Sequence, residues 1–134
     1  MRQIYWAFGE GDFDRMLTYW DPRGDYYPVQ KFPEAQPCHG AEDIRRFLVQ
    51  YVQAVDIEFR IDAVTPVGDD RVLMRLRLSY EGKTSGLKSE GELFHCFWLR
   101  HGRVFRQEDH LTLRGALRAL GLEGETLEAT GLRE

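Results

Sequence analysis

Hydrophobic spacing changes period along the chain, and each change marks a different kind of element. Ile4, Tyr5 and Phe8, then Phe13, Met16, Leu17 and Trp20, recur at helical steps. Gly9, Gly11 and Asp12 interrupt them, which predicts two short helices, the second capped by Asp12. Asp21-Pro22-Arg23-Gly24 predicts a turn, and residues 25–40 a wandering aromatic loop with room for one short strand. Gly40-Ala41-Glu42-Asp43 then opens the clearest helix. Its stripe of Ile44, Phe47, Leu48, Tyr51, Val52 and Val55 runs at three- and four-residue steps.

After that helix the period drops to two. Ile57, Phe59 and Ile61, with Ala63, alternate with Glu58, Arg60 and Asp62, and after a turn at 66–70 Val72, Met74, Leu76 and Leu78 alternate with Leu73, Arg75, Arg77 and Ser79. A glycine-bearing turn at 81–86 leads into a long strand from Leu87 to Arg100. His101-Gly102 predicts a tight hairpin, followed by a strand from Arg103 to about Leu111. A short helix from Arg114 to Leu120, stopped by Gly121, closes the pattern. Helices followed by antiparallel strands indicate an α+β class. A strongly bent sheet with the helices on its inner face would enclose a pocket. One domain over residues 1–122 is expected, with a fraying tail at 123–134 that shows no core period.

Strand parity sorts the polar residues, because side chains i and i+2 share a face. The strand before the hairpin is apolar on both sides. Phe94, Cys96 and Trp98 lie on one face, and Leu93, Phe97 and Leu99 on the other, with His95 among the latter. Such a strand needs two covers. One is the helical layer. The other is a second copy of the chain, buried through Trp98 and Phe94, or else the 25–40 loop folded back. On the last strand Phe105, Gln107, Asp109 and Leu111 form the more apolar set, which directs Gln107 and Asp109 inward beside His95. A one-residue slip would exchange them for Glu108 and His110.

Composition narrows the function classes. The 134 residues make one domain of common size, long enough to bury a core unaided. A net charge of −4, with scattered basic residues, argues against nucleic acid as a partner. No apolar run reaches the ~20 residues that span a bilayer, and the start Met1-Arg2-Gln3-Ile4-Tyr5-Trp6 lacks a signal-peptide pattern, so a cytoplasmic protein is expected. Two cysteines make no disulfide framework. Cys38-His39 and His95-Cys96 are adjacent pairs that point to opposite faces of a strand, so no metal site is expected. No glycine-rich phosphate motif is present, and no cofactor is expected.

Several short stretches are familiar in combination. They are Gly11-Asp12-Phe13-Asp14, His39-Gly40 before Ile44-Arg45-Arg46-Phe47, and Gly68-Asp69-Asp70-Arg71-Val72-Leu73. The hairpin Arg100-His101-Gly102-Arg103-Val104 and the ending Ala116-Leu117-Arg118-Ala119-Leu120-Gly121-Leu122 complete the set. Together they resemble SnoaL-like proteins of the nuclear-transport-factor-2-like superfamily, over residues 1–122. The resemblance implies a cone, in which a curved antiparallel sheet wraps around helices and a deep pocket, and it implies frequent dimers. Polyketide cyclases of that family carry a His on the long strand and, fourteen residues later, an Asp used as general base. His95 and Asp109 stand at that separation. Arg106-Gln107-Glu108 departs from the His-Trp that often precedes the family's aspartate. The superfamily's ketosteroid isomerases place their base before a proline in the first loop, where this chain has Tyr27 before Pro28. The limonene-epoxide-hydrolase pattern needs an inward Asp-Arg-Asp set, and the inward residues here include one Asp and no Arg.

These residues suit proton removal from carbon next to a carbonyl by Asp109, with His95 assisting. His95, Gln107, Tyr26 or Tyr27 would stabilise the enolate. Tyr5, Trp20, Phe32, Tyr51 and Phe97 would join them in contacting a flat apolar ligand. Three classes of function stay open: a cofactor-free cyclase, isomerase or dehydratase; a carrier of an apolar small molecule; and a dimerisation module with a filled interior.

Overall fold

The helical spacing at the start of the chain becomes two short helices that plug the interior. The structure, a computed structural model, describes residues 2–29 and 36–122. Phe32 and the tail expected at 123–134 lie outside the described residues. Helix α1 (Arg2–Gly9) turns Ile4, Tyr5 and Ala7 inward. In α2 (Phe13–Leu17) the Asp12 carboxylate caps the first turn, accepting from the Arg15 amide at 3.0 Å, while Phe13 and Met16 are buried.

Strand β1 (Trp20–Tyr27) and the two-residue β2 (Cys38–His39) follow. The turn expected at 21–24 is instead an irregularity within β1. Pairing with the last strand slips between Trp20 and Asp25, so Pro22 sits where no ladder bond is asked of it. Gly24 is needed there, since a Cβ would stand 2.9 Å from Trp20 Cε3. Helix α3 (Ala41–Ala54) buries Ile44 and Leu48 and runs directly into β3 (Val55–Val67). Val55, expected as the last residue of the helical stripe, is therefore the first residue of a strand. Then come β4 (Arg71–Gly82), β5 (Lys88–Arg100), β6 (Arg103–His110) and α4 (Leu113–Ala119). The strand order is β2-β1-β6-β5-β4-β3. Neighbours are antiparallel except β1 and β6, which run parallel, so the sheet is not wholly antiparallel as expected. The chain is α+β, with a curved six-stranded open sheet around its N-terminal helices.

Bulges bend the long strands and shift their parity. In β3 the register slips between Ile61 and Ala63. Ile61 faces the inner core, Ala63 turns to the outer face, and Val64 resumes the inner set. Across the β5–β6 hairpin the slip lies between Trp98 and Leu99, which leaves Phe105 without a partner. Val104 is therefore buried inside, and Phe105, expected inward, lies half-buried under the Arg100 guanidinium at 4.6 Å. The hairpin itself matches expectation: His101 and Gly102 have φ of 54° and 76°, the signature of a type I′ turn.

Two cores result. The inner one joins α1, α2 and α3 to the concave face of the sheet through Ile4, Met16, Ile44, Leu76 and Phe97. The outer one packs Leu113, Ala116, Leu117 and Leu120 of α4 on Leu73, Phe94 and Cys96. Thr112 caps α4, and the Leu122 amide returns to the Leu117 carbonyl around Gly121 (φ 73°). The Arg71 guanidinium donates to the Leu120 carbonyl. This helix is the second cover that β5 requires. Phe94, expected at an interface between two copies, is 2% exposed within one chain, and Trp98 packs against the same cluster. Neither the folded-back loop nor a second copy is needed to explain the two-sided strand. Among the described residues no helix is long and apolar enough to cross a membrane.

Candidate active site

The register of β5 and β6 sets His95 directly opposite Asp109, and the register of β1 and β6 sets Tyr26 opposite Gln107. Residues opposed across a ladder share a face, so all four side chains enter the concave side together. Helix α1 brings Tyr5 from above. The outcome is a chain of polar contacts on an apolar wall. The Tyr5 hydroxyl stands 2.6 Å from His95 Nδ1, and His95 Nε2 lies 3.3 Å from Asp109 Oδ1. Gln107 Nε2 donates to Asp109 Oδ1 at 2.8 Å, and the Tyr26 hydroxyl donates to Asp109 Oδ2.

Burial sets the electrostatics. The side chains of His95 and Asp109 are 13% and 4% exposed. Desolvation lowers the His95 pKa below its ordinary 6.5, and the Asp109 charge opposes this without overcoming it. Desolvation, then the Asp109 charge, holds the Tyr5 and Tyr26 hydroxyls well above the usual tyrosine range. Both tyrosines therefore remain donors. In the neutral tautomer with its proton on Nε2, facing the carboxylate, His95 accepts from Tyr5 at Nδ1. Its Nε2 makes no aligned hydrogen bond within the described residues, despite the 3.3 Å approach.

The array borders a cavity of about 160 Å³. Tyr5, Trp20, Tyr26, Tyr51, His95, Gln107 and Asp109 line it. Tyr51, half-buried on α3, has its pKa pushed up to about 12 by burial and by the nearby Tyr80. Phe97 does not line the cavity. It is fully buried behind it, edge-on to Tyr5 and His95 at 6.2 and 6.1 Å, and so holds both rings in place.

Tyr27 departs from expectation. It alternates with Tyr26 along β1 and so faces outward, beneath the Arg106 guanidinium at 4.5 Å. Phe8, Phe47, Phe59 and Tyr80 complete the aromatic lining. Sequence reasoning left these out of the site, although Phe47 and Phe59 carried inward parity and Tyr80 extends the inward set of β4. Among the described residues no cluster of three or more His, Cys, Asp or Glu is placed to hold a metal ion.

Comparison with known proteins places the chain. No curated protein matches its sequence. Among solved structures it is similar to an NTF2-like protein of unknown function from Burkholderia pseudomallei K96243, with 17% identity and a TM-score of 0.75, covering 87% of this chain and 91% of that one. It is also similar to a polyketide cyclase candidate from Xanthomonas campestris pv. campestris, with 20% identity and a TM-score of 0.74, covering 85% and 88%. A third neighbour is TerC, co-crystallised with polyporic acid, at 18% identity and a TM-score of 0.72, covering 92% and 94%. The SnoaL-like domain family matches residues 1–107, most of the chain, and the protein belongs to that family.

Proposed function

We propose that the cavity is the active site of a cofactor-free acid/base enzyme acting on a compact apolar carbonyl compound. The observation that carries this reading is the buried Asp109, held from three sides and facing an apolar, aromatic hollow. The Gln107 amide and the Tyr26 hydroxyl each occupy one lone pair of the carboxylate, which fixes its plane. Each oxygen retains a second acceptor position. Asp109 takes a proton from the carbon next to the carbonyl; the C–H electron pair moves onto the carbonyl oxygen as an enolate. The enolate then attacks a second carbonyl, is reprotonated at another carbon, or expels a β-leaving group, giving cyclase, isomerase or dehydratase chemistry. Family membership and a polyketide cyclase candidate among the neighbours support the same class. A cavity of about 160 Å³ is close to the ~150 Å³ that accepts benzene in an engineered protein core, which favours one- or two-ring substrates. Exposed Glu90 and Leu111 also border the cavity, so a longer substrate has a way out at that end.

A second reading, a carrier of an apolar ligand, is favoured by one feature: both Asp109 oxygens already accept hydrogen bonds from the chain's own side chains. Incubation with one- and two-ring ketones and product analysis separates the two. The enzyme reading expects wild-type conversion that is lost in Asp109→Asn. A ligand that binds and returns unchanged supports the carrier.

A further inference from the structure

Gly91 is a glycine that neither its backbone nor its packing demands. It lies inside β5, opposite Leu78 of β4. The pairing of these two strands runs without a slip from Glu81↔Lys88 to Arg71↔Trp98, so no bulge calls for it. Its φ lies outside the left-handed region, unlike that of Gly40 or Gly102. A Cβ placed there meets no heavy atom of the described residues within 4 Å, its chain neighbours aside. At Gly24, by contrast, the Trp20 ring would stand 2.9 Å away. Glycine inside a strand is destabilising, since it loses more backbone freedom on folding and brings no side chain to pack. Strand β5 bears that loss without any gain among the described residues.

The position of the glycine supplies a reason. Alternation puts Gly91 on the same face as Leu93 and His95, and all three line the cavity. Gly91 and its neighbour Glu90 are exposed, which marks this as an open end of the hollow. Four residues of extended strand separate Gly91 from His95, about 13 Å. A two-ring ketone seated at Asp109 does not reach that far; a third ring in line does. The walls there are apolar and aromatic. Leu78 and Tyr80 come from β4, and Tyr51 of α3 lies near Tyr80. Between them β5 presents bare backbone, against which a flat ring can lie.

We infer that Gly91 sets the length of ligand that the cavity accepts. The carbonyl end sits beside Asp109, and a flat apolar extension passes out over the Gly91 backbone. A side chain at this position fills the passage and leaves the inner hollow to short ligands. The inference rests on the cavity being the ligand site, and it adds a shape class: elongated apolar carbonyl compounds.

The test measures binding of 1-indanone and of 5-phenyl-1-indanone, the same ketone with a third ring in line, by isothermal titration calorimetry. Wild type binds the longer ketone about tenfold or more tightly than the shorter, from the added apolar contact. Gly91→Val keeps 1-indanone within about twofold of wild type and weakens the longer ketone about tenfold or more, with Gly91→Ala in between. Both variants melt at or above the wild-type temperature, because the new side chain enters open space. Undiminished binding of the longer ketone by Gly91→Val overturns the inference, because the third ring then leaves by another route. So does equal weakening of both ketones, a lower melting temperature in both variants, or a wild type that takes neither ketone. A wild type that binds 1-indanone and gains nothing from the third ring overturns the role of Gly91 and leaves the enzyme reading standing. Exclusion of the longer ketone alone by Gly91→Val, with the C2 protons of both ketones unexchanged in wild type, supports Gly91 while removing the enzyme reading.

Discussion

Strands β5 and β6 carry two carboxylate–imidazole pairs, one on each face of the sheet, with nearly the same spacing. Inside, His95 and Asp109 stand 3.3 Å apart; outside, His110 and Glu108 stand 3.4 Å apart. Their surroundings differ. Glu108 is bound by the Arg106 guanidinium at 2.9 Å, and Arg106 lies against Tyr27 and Trp98. Among the described residues Asp109 has no such cation; its closest partners there are a hydroxyl, an amide and an imidazole that burial keeps neutral. A guanidinium satisfies a carboxylate and quiets it as a base. Neutral donors orient a carboxylate without setting a positive charge beside it. The outer pair is thus tied to a cation and the inner pair is the one that the proposed function employs, although spacing alone would not tell them apart.

Four expectations sharpen that contrast, beginning with the largest. The outer face is held by α4, so Phe94→Ala removes a side chain from a closed core and costs about 3–5 kcal/mol in denaturant unfolding. Tyr26→Phe deletes the donor to Asp109 Oδ2 and leaves a buried acceptor short of a partner. A loss of about 1–3 kcal/mol is expected by the same measurement. The pH dependence follows from His95. Its folded pKa lies below 6.5, so the unfolded chain binds the proton first. Its contribution is complete above pH 6.5 and is lost as pH falls from there through the folded value. Thermal melts of His95→Gln should lack that part of the acid slope, and His110→Gln should keep it. Tyr27→Leu, on the outer face, should leave turnover within about twofold of wild type and change stability by about 1 kcal/mol or less, the scale of a partly exposed cation–π contact. Turnover that depended on Tyr27 would mean the outer face takes part.

Much of the inner site could be read in advance, because parity is a strong signal wherever a strand is regular. The apolar Phe105 and Leu111 mark one face of the last strand as inward and so place Gln107 and Asp109 beside His95; the structure brings the three together, although Phe105 lies outside and Leu111 is exposed. Bulges are where the reading failed. Nothing in the local pattern announces that Phe105 loses its partner, or that the β3 slip sends Ala63 outward; these follow from the curvature of the whole sheet. The sequence predicts a loop over residues 25–27, where adjacent side chains can converge, and so groups Tyr27 with Tyr26. In a strand they diverge. The sequence predicts helix α4 but not its docking on Phe94, since a short amphipathic helix does not state which apolar face it will cover.

The most direct measurement is deuterium exchange at C2 of 1-indanone in D₂O, followed by proton NMR, for wild type, Asp109→Asn and Glu108→Gln. The account predicts exchange above background for wild type, a fall of about 10²–10⁴-fold for Asp109→Asn, and a rate within about twofold of wild type for Glu108→Gln. A folded Asp109→Asn protein that exchanges as fast as wild type, or a wild type that leaves the protons of bound indanone in place, would contradict it.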